Sequence, residues 1–315
     1  MSTQTMRAVR YHDYGPPDVL QVEDVPQPEP GEGEVLVRVR SVGVHPVDWK
    51  LRSGMYRQYM PLTFPYTPGV DLAGVVESIG PGVTGFEEGQ DVYGRGPATN
   101  AELAAVPVVG LAPKPGNLTF EQAAAIPVGV LTAWTGLFDV AGLQPGQRLL
   151  VHGAAGGVGN FGVQLGRWKG AEVIGTSSGR NTDFVRSLGA STALDYGRTR
   201  FEDVVRDVDV VLDNIGGETQ QRSWQVLKPG GILVGVAGLA PEAEERAEQL
   251  GLRAGVVSIP PDTRETLQHI TDLIEAGTIV PELGPVFSMD EVSGAHALSE
   301  TGHGRGRIIL RVTNH

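Results

Sequence analysis

Residues 148–178 read RLLVHGAAGGVGNFGVQLGRWKGAEVIGTSS, and this stretch decides the fold. Residues 148–152 form a short apolar run of strand character, and the glycine-rich run 153–159 follows with no polar spacer. A helix has to begin inside that run. Val158, Phe161, Leu165 and Trp168 recur at helical spacing on one face, and Lys169-Gly170 supplies a cationic last turn and a stop. A second strand over 171–176 completes the unit.

The order strand, glycine turn, helix, strand is what a dinucleotide pyrophosphate needs. The unpaired N–H groups and positive dipole end of a new helix attract phosphate, and glycines let the backbone approach it closely. The fingerprint G-x-G-x-x-G falls on Ala154-Ala155-Gly156-Gly157-Val158-Gly159, with alanine in place of the first glycine. Ala155, Gly156, Gly157, Val158 and Gly159 are therefore candidate cofactor residues. A tight structural turn is the plain alternative, and the placement between a strand and a periodic helix argues against it.

The tip of the second strand bears on which dinucleotide is held. Enzymes selecting NAD carry Asp or Glu about 20 residues on, bonded to the ribose 2′-hydroxyl. Counting from Gly156 leads to Thr176-Ser177-Ser178-Gly179-Arg180, with no carboxylate before Asp183. Ser177, Ser178 and Arg180 suit a 2′-phosphate, which a guanidinium grips with a fork of donors, so NADPH is expected. A solvated loop with Arg180 facing water is the alternative.

The chain has 315 residues, long enough for two domains, with 40% hydrophobic and 20% charged residues as in ordinary soluble proteins. Its net charge of −12 disfavours nucleic acid and anionic membranes, since phosphate binding needs a basic face. No apolar run reads as long enough to cross a bilayer, and residues 1–6 are polar, without the basic and apolar regions of a signal peptide, so a cytoplasmic location is expected. With no cysteine, the chain has no disulfide, thiolate nucleophile or Cys-ligated zinc.

Before the central unit, residues 6–11, 19–23 and 35–44 read as strands broken by Gly15-Pro16-Pro17 and the segment 26–33, which implies a small β-rich domain. Glycines in 68–80 and 89–94 mark bulges and bends. Residues 118–143 turn helical, with Pro127 ending or kinking one helix and a second starting near Gly129. After the unit, strands at 192–195, 208–213, 231–236 and 254–259 alternate with helices at 182–188 and 219–227, the pattern of a parallel sheet covered on both faces. Residues 241–250 read as a solvated surface helix and 263–276 as a further helix. The last strand, 307–312, has no helix to follow and most naturally returns to the β-rich domain. The expected fold class is α/β, a Rossmann doubly wound parallel sheet plus a β-rich domain. The domains expected are 1–120, completed by 278–315, and 121–277.

Six ordered segments now resemble one family: 43–50 (GVHPVDWK), 68–74 (PGVDLAG), 131–134 (LTAW), 154–159 (AAGGVG), 213–217 (DNIGG) and 302–307 (GHGRGR). The chain resembles, over nearly its whole length, the medium-chain dehydrogenase/reductase superfamily in its zinc-independent quinone oxidoreductase and enone reductase branch. The resemblance implies that the β-rich domain is GroES-like and catalytic, with NADPH and substrate between it and the Rossmann domain. It implies cofactor contacts at Thr132, Tyr196, Asn214, Val236, Ala237 and Arg305, with Tyr196 on the 2′-phosphate. It also implies a homodimer joined through residues 254–259. The chain departs from its relatives at His45, where they usually carry asparagine, so the polar group near the nicotinamide is expected to differ in character.

Zinc alcohol dehydrogenases of the superfamily need cysteine ligands that this chain lacks, and the seven histidines, at 12, 45, 152, 269, 296, 303 and 315, show no metal-ligand spacing. A makeshift set of His45, Asp48 and Asp71 is the remaining conceivable metal site. Without a metal, the easier reaction is hydride delivery from NADPH to an electron-poor carbon of a quinone or an α,β-unsaturated ketone or aldehyde. The oxyanion so formed needs a donor already in place. Of four lysines, Lys114, Lys169 and Lys228 adjoin Pro or Gly at apparent turns. Lys50 is the leading candidate; plant enone reductases of this branch carry a similar lysine, and His45 is a second donor. The alternative is a solvated Lys50 paired with Asp48 or Glu77. His152 reads as structural. One-electron quinone reduction and a non-catalytic NADPH-binding protein, structural or sensory, are the competing functions.

Overall fold

A computed structural model of the chain describes residues 4–313. Residues 1–3 of the N-terminal stretch, and His315, lie outside the described residues. In chain order the first strands are Thr5–Arg10 (β1), Gln21–Pro26 (β2) and Glu34–Val44 (β3), followed by the helix Pro46–Arg52 (α1). Next come Asp71–Ile79 (β4), Asp91–Arg95 (β5), Leu103–Pro107 (β6) and Leu111–Pro113 (β7), then the helices Phe120–Ala124 (α2) and Pro127–Trp134 (α3). The nucleotide segment holds Arg148–His152 (β8), Gly159–Trp168 (α4), Glu172–Ser177 (β9), Thr182–Ser187 (α5), Thr192–Asp195 (β10), Phe201–Val204 (α6), Val208–Asp213 (β11), Gly217–Ser223 (α7), Leu227–Gly235 (β12), Ala243–Gln249 (α8) and Arg253–Val256 (β13). Arg264–Glu275 (α9), Leu283–Ser288 (β14), Val292–Glu300 (α10) and Arg307–Arg311 (β15) close the chain.

Two compact units result: the first takes residues up to Val128 and from Pro261 onward, the second Gly129–Pro260. These limits differ from those expected at 120 and 277. The helix α9 belongs to the first unit because Tyr93 on β5 donates its hydroxyl to Leu267 O at 3.0 Å, and Leu267 and Ile270 are fully buried there. Periodicity shows that such a helix has a buried face, but not against what.

In the first unit a seven-stranded sheet runs β14-β15-β3-β4-β5-β7, with β6 also on β3, beside the hairpin β1-β2. The last strand does return here: β15 pairs antiparallel with β3, Ile309 opposite Gly43 and Leu310 opposite Val42. Alternate residues of β3, Val35, Val37 and Val39, fill the core with Leu72, Val92 and Leu310. The sheet curls where β3 and β4 slip register after the Val39–Gly74 pair. A Cβ at Gly74 would lie 2.3 Å from Arg38 O, so only glycine fits this bulge.

In the second unit all six strands are parallel, in the order β10-β9-β8-β11-β12-β13, the doubly wound 3-2-1-4-5-6 arrangement that the sequence implies. Strands β8, β10 and β11 have the expected bounds. Helix α8 is less solvated than its composition suggests, because Ala243 and Ala247 are buried against the core of Leu150, Val211 and Leu233.

The second helix starts at Pro127 itself, two residues before the expected Gly129. α3 runs into a π-helical turn at Thr135–Val140, and together with α2 it makes a 21-residue helical segment, 120–140, turned at 125–126, with an 18-residue window of mean hydropathy 1.5. By length and composition it could cross a membrane, contrary to the sequence expectation; 72% of its apolar window is buried inside the protein, the position of a core helix.

Candidate functional site

The glycine turn lies between β8 and α4. Gly153 takes φ +63, and Ala154 N then bonds Thr176 O at 2.9 Å, which pins the turn to β9. The two later glycines have separate jobs. A Cβ at Gly159 would lie 2.2 Å from Gly153 O and 2.8 Å from Ala154 Cα, so the helix can pack on the turn only without one. A Cβ at Gly156 would meet only Gly153 O, at 3.3 Å, and otherwise opens outward. Alanine is tolerated at 154 because Gly175 on β9 lacks the Cβ that would approach Ala154 Cβ to 2.9 Å. The first helical hydrogen bond runs from Asn160 N to Gly156 O, so the amides of Gly157, Val158 and Gly159 precede the intrahelical ladder.

This turn stands at the point where the strand order reverses, between β8 and β11, which is where open α/β sheets bind ligands. Asn214 bridges the two strand ends, donating Nδ2 to His152 O at 2.7 Å. Its Oδ1 is buried without a hydrogen-bond partner among the described residues, an acceptor that a bound ligand can satisfy. Asp213, fully buried, holds the loop: its carboxylate accepts from Ile215 N and Gly216 N at 3.0 Å and from Gln220 Nε2 at 3.1 Å. Val236 N bonds Asp213 O, which brings Val236 and Ala237 beside the same loop. Thr132, buried on α3, lies one turn beyond Gly129, where a Cβ would come 2.3 Å from Gly157 O. The helix thus rests on the turn itself. Amides, an orphaned acceptor and a cradle that side chains would fill make a set that fits a dinucleotide.

At the neighbouring strand tips Ser177 ends β9 with Ser178 just after it, and Tyr196 follows β10 with its N–H on Ser177 O at 3.1 Å. Arg180 and Tyr196 are exposed. The structure adds a carboxylate that counting along β9 misses. Asp195 approaches from β10, near enough that a Cβ at Gly179 would lie 2.5 Å from its Oδ2, with Arg198 3.6 Å away as counter-charge.

The first unit holds the remaining candidates. His45, 2% exposed, is the N-cap of α1, and its N–H donates to Asp48 Oδ2 at 2.7 Å. Its Nε2 stands 2.7 Å from Asp71 Oδ2, close but not aligned as a hydrogen bond. The other oxygen of Asp71 accepts Val128 N–H at 2.9 Å, at the start of α3. Arg307, also buried, donates to Val44 O at 3.3 Å, and burial pushes its pKa down while Asp71 and Asp48 oppose the shift. Burial pushes the Asp48 carboxyl up, against the pull of His45. The makeshift metal set is therefore brought together as a buried charge network, and among the described residues no three His, Asp or Glu side chains are placed to hold a metal ion. Arg307 is the member of this network that the set of His45, Asp48 and Asp71 omits.

Lys50, half-buried on α1, has neither of the carboxylate partners considered for it. Asp48 is engaged by the His45 backbone and Glu77 by Arg38, while Lys50 Nζ lies 5.8 Å from the Trp49 ring and 5.7 Å from that of Tyr56. Arg305 is paired with Glu282.

His152 is structural, as its position suggests: its ring nitrogens lie 3.0 Å from Thr176 Oγ1 and from Ser223 Oγ. Burial lowers its pKa to about 4, and burial, aided by Arg52, lowers that of His296 in the first unit to about 3. Both values lie below the unfolded value, so the unfolded chain takes up protons that the folded chain refuses. Stability from these groups is full above about pH 6.5 and falls by about 1.4 kcal/mol per pH unit per histidine on acidification, toward pH 4 for His152 and pH 3 for His296. Urea unfolding at pH 7 and pH 5 should show this loss, about 2 kcal/mol for each group. It should shrink in His152→Gln; equal pH slopes for that variant and the parent would contradict it.

Comparison with known proteins agrees with this anatomy. Residues 31–116 match the family model "Alcohol dehydrogenase GroES-like domain" and residues 188–310 the model "Zinc-binding dehydrogenase". The chain is 36% identical to a 2-methylene-furan-3-one reductase of Solanum lycopersicum, over 97% of this chain and 79% of that protein. It is 32% identical to the quinone oxidoreductase of Mus musculus, over 97% of each. Among solved structures, the quinone oxidoreductase of Coxiella burnetii superposes with TM-score 0.89 at 31% identity, over 98% of this chain and 100% of that one. The Escherichia coli quinone oxidoreductase complexed with NADPH gives 0.88 at 25%, over 97% and 100%. The first unit is thus GroES-like, and the chain belongs to the medium-chain dehydrogenase/reductase superfamily, in the branch of quinone oxidoreductases and enone reductases, and is an oxidoreductase.

Proposed function

We propose that the protein is an NADPH-dependent, metal-free reductase that delivers hydride to quinones or to the C=C bond of α,β-unsaturated ketones and aldehydes. One observation carries the cofactor: the amide-lined turn 154–159 and the unpartnered Asn214 Oδ1 occur together at the point where the strand order reverses. The diphosphate rests on the amides of Gly157 to Gly159, with Gly156 leaving the approach open. Ser177, Ser178, Arg180 and Tyr196 take the 2′-phosphate, with Arg198 offsetting Asp195. Bound NADPH supplies a hydride. The protein's part is to stabilise the oxyanion left on the substrate, and Lys50, a cation without a carboxylate partner among the described residues, supports that role. His45, whose Nε2 stands 2.7 Å from Asp71 Oδ2, serves as a second donor.

With no cysteine and no convergent trio of ligands among the described residues, the donor set favours a metal-free reaction. Strand β13 ends the parallel sheet as an edge, which supports the expected homodimer. The test is turnover: 2-cyclohexenone, 2-hexenal and 9,10-phenanthrenequinone, each with NADPH and with NADH, with and without a chelator. We expect activity indifferent to chelation and a preference for NADPH of about tenfold or more, from charge-assisted bonds to the 2′-phosphate. Loss of activity on chelation, or equal use of NADH, would remove the corresponding part of the proposal.

A further inference from the structure

The second unit carries an aromatic pocket at the opposite edge of its sheet from the glycine turn. Helix α4 begins after the carboxyl end of β8 and finishes with Trp168 just before β9 starts, so Trp168 and Lys169 lie at the amino edge of the strands. Two loops are tied together there, by Gly146 N on Gly170 O and Glu172 N on Gln147 O, both at 2.8 Å. The π-helical turn brings Phe138 to Trp134, with ring centres 4.6 Å apart, and both rings stand 5.9 Å from Trp168. These three rings, with Leu143 and Lys169, line a cavity of about 180 Å³. An apolar cavity of about 150 Å³ suffices for benzene.

Two features distinguish this from a packing defect. Trp168 is 38% exposed, although the end of a helix could place a charged residue there at less cost. Lys169 Nζ reaches over the Phe138 ring at 5.7 Å and makes no ion pair among the described residues, so a cation without a carboxylate sits at the rim of an aromatic slot. A cationic ligand would be repelled by it, and a neutral ring would leave it unused. An anion on the ring would satisfy it.

We infer that this pocket binds a single aromatic ring bearing a carboxylate, with the ring against Trp168 and Trp134 and the carboxylate on Lys169. The site is separate from the turn at 154–159 and does not depend on the proposed reaction.

The experiment uses the full chain and benzoate as the probe, with benzyl alcohol and benzylamine as neutral and cationic controls. Four tryptophans give four indole N–H signals in a 15N-labelled sample, and Trp134→Phe and Trp168→Phe assign the two that matter. Benzoate should shift the Trp134 and Trp168 signals saturably and leave those of Trp49 and Trp224 in place. It should bind about five- to tenfold more tightly than benzyl alcohol, with benzylamine weakest. Lys169→Met, a substitution outside the core, should reduce benzoate to the level of the alcohol. Unmoved Trp134 and Trp168 signals at millimolar benzoate would overturn the inference, as would equal affinity for benzoate and benzyl alcohol or an unchanged Lys169→Met variant.

Discussion

Gly156→Val should lower NADPH affinity by about a hundredfold or more while leaving the fold intact. The new Cβ would meet only Gly153 O, at 3.3 Å, and the residue has no left-handed φ, so the backbone tolerates the side chain. The valine instead occupies the side from which a diphosphate approaches the amides of residues 157–159. Losing two charge-assisted hydrogen bonds at about 1.5 kcal/mol each accounts for the hundredfold. Gly159→Ala is the contrasting variant, because its Cβ would be driven to 2.2 Å from a backbone oxygen, and it should lose thermal stability as well as binding. Fluorescence titration with NADPH and a melting curve for each variant separate the two effects. A Gly156→Val protein that binds NADPH like the parent would mean that the diphosphate lies elsewhere.

Lys50→Ala should lower kcat/KM for an enone by about 10²- to 10³-fold, the usual cost of removing one oxyanion donor, with NADPH affinity unchanged. The basis is the isolation of Lys50: among the described residues its ammonium faces the Trp49 and Tyr56 rings, with no carboxylate to neutralise it. A lysine without a structural bond loses little stability on truncation, so the loss should appear in turnover and not in melting temperature. Lys50→Arg keeps a donor and should recover part of the rate. A rate within twofold of the parent for Lys50→Ala would assign the oxyanion to another donor, with His45 next in line.

What the sequence discloses and what it conceals follow from range. The strands β8 and β11 are buried parallel strands whose limits are local properties of the sequence. Strand β12 begins four residues before the expected Gly231, because Leu227 pairs with Val208 and the strand continues through Lys228-Pro229-Gly230 after a slipped register. Its turn-like composition was overruled by a neighbouring strand. The glycine turn was legible for the same local reason as β8. The set of His45, Asp48 and Asp71 was conceivable from the sequence, but the 2.7 Å approach of His45 to Asp71 was not legible, since it arises only when the end of β3 lies beside the start of β4. Asp195 escaped notice because it reaches the tip of β9 from the next strand.

The central claim is that hydride passes from a reduced nicotinamide held by the second unit to an electron-poor carbon of the substrate. The most direct test is the reduction of 2-cyclohexenone with NADPH deuterated at C4, each of the two stereoisomers in turn, followed by mass spectrometry and NMR of the product. One stereoisomer should place a single deuterium on the β-carbon of cyclohexanone, and the other should leave the product unlabelled. Product formed without deuterium from both stereoisomers would contradict the claim.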